Sequence, residues 1–206
     1  MNCETIVVGP LETDCYIVHC TETKECVIVD PGADPGKIIH FISESGLLPK
    51  VILNTHGHVD HVGANRDMKE KYDVPLLIHE ADEGMLNHSI QSQLSFLLGA
   101  KKSPDPDGFL EENQIITVGN SKMEVLHTPG HSPGSVCFLA EDFLLSGDTL
   151  FCGGVGRTDL PGGSWGELER SIKEKILILP EELKVFPGHG PSSTVGQEKH
   201  SNPFIR

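Results

Sequence analysis

No apolar run in this chain approaches the roughly 20 residues that a membrane-spanning helix needs, so the sequence predicts no contact with the bilayer interior and no membrane partner. The amino terminus, Met1-Asn2-Cys3-Glu4-Thr5, shows no basic stretch leading into an apolar core and does not read as a secretory signal; the expected location is the cytoplasm. Positive charge is scarce too. Lysine and arginine number 16 against 30 aspartates and glutamates, for a formal charge of −14. A surface that tracks phosphates needs the opposite sign, which argues against nucleic acid as a partner. None of the cysteines, Cys3, Cys15, Cys20, Cys26, Cys137 and Cys152, forms a C-x-x-C pair. Their irregular spacing argues against a structural zinc site, and in a reducing compartment they are expected as free thiols packed like small hydrophobes. There is no G-x-S-x-G elbow and no cysteine in a recognisable nucleophile context, so no covalent nucleophile is evident. Repeats, low-complexity tracts and linkers are missing as well. The 206 residues, 37% of them hydrophobic, read as one domain over residues 1–206 with a sizeable core.

What the chain does have is a succession of short apolar strands and helices. Tyr16-Ile17-Val18 and Cys26-Val27-Ile28-Val29 read as neighbouring strands, the second ended by Asp30-Pro31-Gly32. Ile38, Ile39 and Ile42 recur at helical spacing, with Gly46 as the stop. The patterning predicts a helix over 63–72, a strand over 74–78 and a further helix over 79–87. Residues 88–110 read either as a plain connection between two halves, the commoner case, or as a mobile flap beside a site. Strands are expected at 114–118, 122–127, 135–140, 143–146 and 183–186. Ser164-x-x-Glu167 is a capping box, and Leu168, Ile172, Ile176 and Leu179 share one face of the helix it opens, which Pro180 ends. Trp165, at the start of that helix, is expected in the core. Each half reads as strands followed by helices, and two such halves can stack their sheets with helices outside.

The chemistry concentrates in Val51-Ile52-Leu53-Asn54-Thr55-His56-Gly57-His58-Val59-Asp60-His61. A β-branched run leads straight into an H-x-H-x-D-H cluster. In extended chain alternate side chains share a side, so His56, His58 and Asp60 are expected to converge, with His61 on the other side. Imidazole and carboxylate are the ligands of zinc, iron and manganese. Three later segments repeat the same grammar of strand, small turn residue and ligand: Thr128-Pro129-Gly130-His131, Leu145-Ser146-Gly147-Asp148 and Phe186-Pro187-Gly188-His189. Loops at strand ends are where a rigid scaffold presents a site. Of the remaining histidines, His19, His40, His88, His127 and His200 lack this context and are read as surface or core-edge residues; His79 follows a strand, which would let it border the cleft, and is read as structural.

With those residues in place, the chain resembles the metallo-β-lactamase superfamily over nearly its whole length, from Asp30 through His189. The resemblance implies a four-layer αββα sandwich of two stacked mixed sheets flanked by helices. It implies two divalent ions, zinc first with iron or manganese as alternatives. His56, His58 and His131 would hold one and Asp60, His61 and His189 the other. Asp148 would bridge them, and Asp30 would orient the motif loop from behind. Asp60 and Asp148 are the carboxylates implied in catalysis, in which a water between the cations attacks a carbonyl carbon.

Secreted antibiotic-degrading lactamases place a cysteine where Asp148 stands. The stretch from Gly156 to Ser164 and the tail Gly188-His189-Gly190-Pro191 to Asn202-Pro203-Phe204 look instead like the short bacterial glyoxalase II-like hydrolases. Those enzymes cleave thioesters such as S-lactoylglutathione, a small-molecule substrate. The departures are a missing helical glutathione domain and a loop, Gly153 to Asp159, in which Arg157 either clamps a substrate carboxylate or pairs with Asp159 or Asp30. Iron-dependent persulfide dioxygenases share a G-R-T-D loop and are the alternative. Ser132-Pro133-Gly134 after His131 favours the hydrolase. A lactone or ester hydrolase of the same fold is a second alternative.

Overall fold

The computed structural model describes residues 1–87 and 101–205. Its first sheet is built from β1 (Asn2–Val8), β2 (Thr13–His19), β3 (Glu25–Val29), β4 (Leu48–Leu53), β5 (Leu76–His79) and β6 (Gly108–Leu110), hydrogen-bonded in that order. β1, β2 and β3 pair antiparallel, whereas β3 to β6 run parallel. The crossovers between the parallel strands carry α1 (Pro35–Glu44), a helical turn α2 (Val59–Val62) and α3 (Asn65–Tyr72). The second sheet contains β7 (Ile115–Val118), β8 (Ser121–His127), β9 (Val136–Leu139), β10 (Phe143–Gly147), β13 (Lys184–Pro187) and β14 (Ser193–Thr194). Its order is β14-β13-β10-β9-β8-β7, with β10 and β13 parallel. A small hairpin, β11 (Leu150–Phe151) with β12 (Gly154–Val155), hangs from β10. Helix α4 (Trp165–Ser171) continues through a wider π turn, Ile172–Ile176, and α5 (Val195–Ser201) closes the chain.

Strand alternation sorts the side chains into layers. Val18, Val27, Val29 and Leu53 of the first sheet meet Val125, Val136, Phe138 and Leu145 of the second in one buried cluster between the sheets. On the first sheet's outer face Ile17, Ile28 and Ile52 pack under Ile38 and Ile42 of α1 and Met68 of α3. On the second sheet's outer face Leu144 and Val185 pack under Leu168, Ile172 and Ile176. The result is the expected αββα sandwich of two mixed sheets flanked by helices. Among the described residues no helix is long and apolar enough to cross a membrane.

Several local expectations need correction. The helix expected over 63–72 is α3, which begins at Asn65, and an unexpected helical turn, α2, precedes it at Val59–Val62. Asp60 and His61 therefore stand on a helical turn, and period-two alternation does not govern where they point. Trp165 is 43% exposed, since the capping box puts it on the first turn of α4, ahead of the apolar stripe that starts at Leu168. Of the cysteines, Cys15, Cys20, Cys26 and Cys137 are buried as expected, while Cys152 is exposed on the β11–β12 turn. Most of the connection or flap expected over 88–110 falls at 88–100, outside the described residues. Its far end is docked: Lys101 N–H donates to Gly63 O at 3.1 Å, Ser103 is buried against Asn65, and residues 108–110 form β6.

Candidate metal centre

Parallel strands end at the same edge of a sheet, and this determines where the motif residues meet. Asp30 follows β3, the His56 to His61 segment follows β4, Asp148 follows β10 and His189 follows β13. The two sheets are joined at this edge: Asp14 N–H donates to Gly188 O at 2.8 Å and Val136 N–H to Thr55 O at 2.8 Å. Gly188 is required at the seam, where a Cβ would fall 2.1 Å from Asp148 Oδ1. The four loops thus open into one polar cluster.

That cluster has two halves. In the first, His56, His58 and His131 converge, with His58 Nδ1 2.8 Å from His131 Nε2. In the second, Asp60, His61 and His189 converge, with Asp60 Oδ2 3.2 Å from His189 Nε2 and 3.6 Å from His61 Nε2. Asp148 lies between the halves: Oδ1 is 3.4 Å from His61 Nε2, and Oδ2 is 3.5 Å from His131 Nε2 and 3.8 Å from His189 Nε2. The grouping expected from strand alternation, Asp60 with His56 and His58, is not the one formed. The helical turn at Val59 carries Asp60 across to His61 and His189.

The ring nitrogens that face away are anchored, which fixes the tautomers. His131 Nδ1 donates to Arg157 O at 2.8 Å and His189 Nδ1 to Leu11 O at 3.0 Å. His61 Nδ1 donates to Asp30 Oδ2 at 2.9 Å. Thr55 Oγ1 gives its proton to Asp30 Oδ2 at 2.6 Å, so it accepts from His56 Nδ1 at 3.0 Å. In all four rings Nε2 is the nitrogen turned inward, the one that would offer its lone pair to a cation. Asp30 also accepts Thr55 N–H at 2.7 Å. Its oxygens are committed to three donors, which makes it an orienting group although it clusters with His56 and His61.

These residues fit divalent cations. His56 Nε2 and Asp148 Oδ1 are buried polar atoms with no hydrogen-bond partner, a costly arrangement unless something electropositive joins them. The electrostatics agree. Burial, with His131 and His61 nearby, pushes His58 down to about 3, and burial holds His56 well below its ordinary value, so both stay neutral as ligands must. Burial opposes charge on His61 as well, but Asp148, Asp60 and Asp30 outweigh it and push the ring up to about 10. The carboxylates thus call for positive charge at that position. Burial resists ionisation of Asp60, yet His61 and His189 outweigh it and hold the carboxyl below its ordinary range.

The surroundings include groups that the sequence did not single out. Asn54 Nδ2 donates to His61 O at 3.1 Å and Asn65 Nδ2 to Asn54 Oδ1 at 2.8 Å, a buried amide pair that braces the motif loop. Thr55 and Asn54 stand inside the motif and were open to suspicion. Asn65 and the Leu11 carbonyl carry no local signal. Glu198 and Asn202 of the tail hold the β11–β12 hairpin: Glu198 Oε2 accepts Gly153 N–H at 2.9 Å, and Asn202 Nδ2 donates to Gly154 O at 3.0 Å. His127 and His79 stack on one another with ring centroids 4.0 Å apart and belong to neither triad. Arg157 makes a two-point fork with Asp159, at 2.7 Å on both arms, and both side chains are exposed.

Asp14 is buried at the seam. Burial pushes its carboxyl from the ordinary 3.8 up to about 6, against the opposing pull of His189, Tyr16 and His61. The folded state therefore favours the neutral acid. That contribution is complete below about pH 3.8 and is lost as pH rises through about 6. In the metal-free protein Asp14→Asn should raise the midpoint of thermal unfolding at pH 8 and leave it near wild type at pH 4. Equal shifts at both pH values would mean that burial of charge is not the cause.

A family model described as the metallo-beta-lactamase superfamily matches residues 8–197. The chain belongs to the metallo-beta-lactamase superfamily, and with this cluster it is a metallo-hydrolase of that class. Among curated proteins it is similar to the hydroxyacylglutathione hydrolase GloC of Haemophilus influenzae, 37% identical over 214 residues, covering 100% of this chain and 98% of the relative. Among solved structures it is similar to BLEG-1, described as a B3 metallo-beta-lactamase, with a TM-score of 0.92, 39% identity and 99% of both chains covered. It is also similar to TTHA1623 in a di-iron-bound form, with a TM-score of 0.89, 40% identity, and 98% of this chain and 100% of the other covered.

Proposed function

We propose that the protein is a dinuclear metallo-hydrolase of thioesters, with S-lactoylglutathione or a related acyl thioester as substrate. One observation carries the reading: two triads of inward-facing donor atoms flank a single carboxylate, Asp148, with Oδ1 toward His61 and Oδ2 between His131 and His189. His56, His58 and His131 would hold one cation, Asp60, His61 and His189 the other, and Asp148 both. Zinc is the first expectation, with iron or manganese compatible with the same donors; a di-iron form of TTHA1623 supports two metals. Bound there, the pair supplies Lewis acidity that acidifies a water and polarises the scissile carbonyl.

The chain's own residues do the rest. The anchored Nδ1 protons of His61, His131 and His189 keep each ring in one tautomer and one orientation, so no reorganisation is needed at turnover. Asp60 is held ionised by His61 and His189, which suits a ligand and leaves it no proton to donate to a leaving group. His189 is the most exposed of its triad, with 27% of its side chain open, and Phe151 stacks edge-on to it at 6.3 Å. Substrate would enter past these two. Arg157 stands on the rim beside His131, and we propose that its guanidinium exchanges Asp159 for a carboxylate of the departing thiol. Arg157→Ala should raise KM with little change in kcat or unfolding temperature, because exposed ion pairs contribute little to stability. A fall in kcat at constant KM would remove Arg157 from substrate binding.

Metal analysis with a thiol-release assay on S-lactoylglutathione tests the whole reading. Two metals per chain and thiol release are expected. One iron per chain, oxygen uptake with glutathione persulfide and no thiol release would assign the protein to the dioxygenases. Faster opening of a β-lactam than of any thioester would transfer the reading to lactam hydrolysis, which the likeness to BLEG-1 makes the necessary control.

A further inference from the structure

Asp82 belongs to neither triad and is fully buried, at 0% exposure. It stands in a tight 3₁₀ stretch, Glu80–Asn87, that leaves the end of β5. Its carboxylate reaches two other loops. Oδ2 accepts Gly57 N–H at 2.9 Å and the Ser132 hydroxyl at 2.6 Å, and Oδ1 accepts Gly134 N–H at 2.6 Å. Gly57 is the residue between His56 and His58. Ser132 and Gly134 lie one and three positions after His131. All three donors therefore come from the two loops that present the first triad, and one carboxylate ties those loops together. The fit is close on both sides. A Cβ on Gly134 would fall 2.7 Å from Asp82 Cγ, and a Cβ on Gly57 would fall 2.7 Å from Met85 Cβ of the same stretch.

We infer that Asp82 is the positioning residue of the first metal subsite, the carboxylate that joins the His56–His58 loop to the His131 loop and holds their ring nitrogens in ligand register. Its place mirrors that of Asp30, whose three donors, Thr55 N–H, Thr55 Oγ1–H and His61 Nδ1–H, brace the opposite side of the cluster. A buried acceptor of three bonds sets a position firmly, because displacing either loop would leave a buried donor without its partner. The inference rests on the two-subsite reading proposed above.

The test is zinc binding, measured by competition with a chromophoric chelator on metal-free protein, in two backgrounds. In His189→Ala only the first subsite is complete, and in His131→Ala only the second. Asp82→Asn preserves size and can keep at most two of the three acceptor contacts, since its amide group must face at least one donor. In the His189→Ala background it should weaken zinc by about 10- to 100-fold, the range typical of residues that orient metal ligands. In the His131→Ala background zinc affinity should be unchanged. Ser132→Ala, which removes one of the three donors to Asp82 together with a hydroxyl contact to Ser135, should act in the same direction with a smaller factor and is the readout should Asp82→Asn fail to fold. Equal weakening in both backgrounds, or none in either, overturns the assignment of Asp82 while leaving two subsites standing. A wild-type chain that binds fewer than two zinc ions, or single variants that do not each remove one, overturns the two-subsite reading and the role of Asp82 with it.

Discussion

Asp148→Ala is expected to reduce turnover by more than about 10³-fold and to lower the metal content from two ions per chain to one. The reason is geometric. Asp148 is the one carboxylate with an oxygen toward each half, Oδ1 at 3.4 Å from His61 Nε2 and Oδ2 at 3.5 Å from His131 Nε2. The first triad keeps its three imidazoles without it and can still hold an ion. The second triad loses the charge that most strongly favours a cation there, since Asp148 is the leading carboxylate in raising His61. Deleting it should accordingly bring the His61 titration down from about 10 in the metal-free variant, which a proton-detected NMR titration of the ring would follow. Full activity with a single bound metal would sink the dinuclear reading.

The second large effect is expected in stability. Asp30 is buried, and its backbone is left-handed at φ 51°, directly after β3. It accepts Thr55 N–H, Thr55 Oγ1–H and His61 Nδ1–H at 2.7, 2.6 and 2.9 Å. Asp30→Ala strands all three donors in the interior and leaves the charge that the other carboxylates favour on His61 without its closest partner. Breaking a buried arrangement of this kind costs about 3–5 kcal/mol. For a chain of this length that corresponds to a fall of roughly 10 °C in the unfolding midpoint. Differential scanning calorimetry of the metal-free proteins measures it. A shift under about 2 °C would show that water or local relaxation replaces Asp30 and that its orienting role is slight. Zinc affinity of the second subsite should fall in the same variant, because the His61 ring is then free to change tautomer.

Much of this site was legible because its grammar is local. An apolar strand, a small turn residue and a ligand side chain occur within a few positions of one another at His56, His131, Asp148 and His189, and residue type alone suggests metal. The layers of the fold were legible for the same reason: β-branched runs make strands, and Leu168, Ile172 and Ile176 make one helical face. Other features resisted local reading. Alternation along the motif predicted Asp60 beside His56 and His58, but the chain coils at Val59 once the strand's hydrogen-bonding partners end. Trp165 was expected in the core on hydrophobicity and proved exposed, because position on the helix decides burial.

The sequence by itself singled out the candidate ligands, the sandwich of strands and helices, and the absence of an evident covalent nucleophile. The division of these residues into two triads followed from the family resemblance and not from local alternation, and tertiary structure alone decided what holds them. His189 Nδ1 is fixed by the carbonyl of Leu11, 178 positions away, and the first triad's loops are tied by Asp82, 25 positions from Gly57 and 50 from Ser132. A main-chain carbonyl has no residue type to betray it, and a lone aspartate on a short polar turn looks like any solvated charge. Their roles exist only because two sheets bring their strand ends to one edge, where burial leaves a polar atom no partner except another part of the chain or a bound cation.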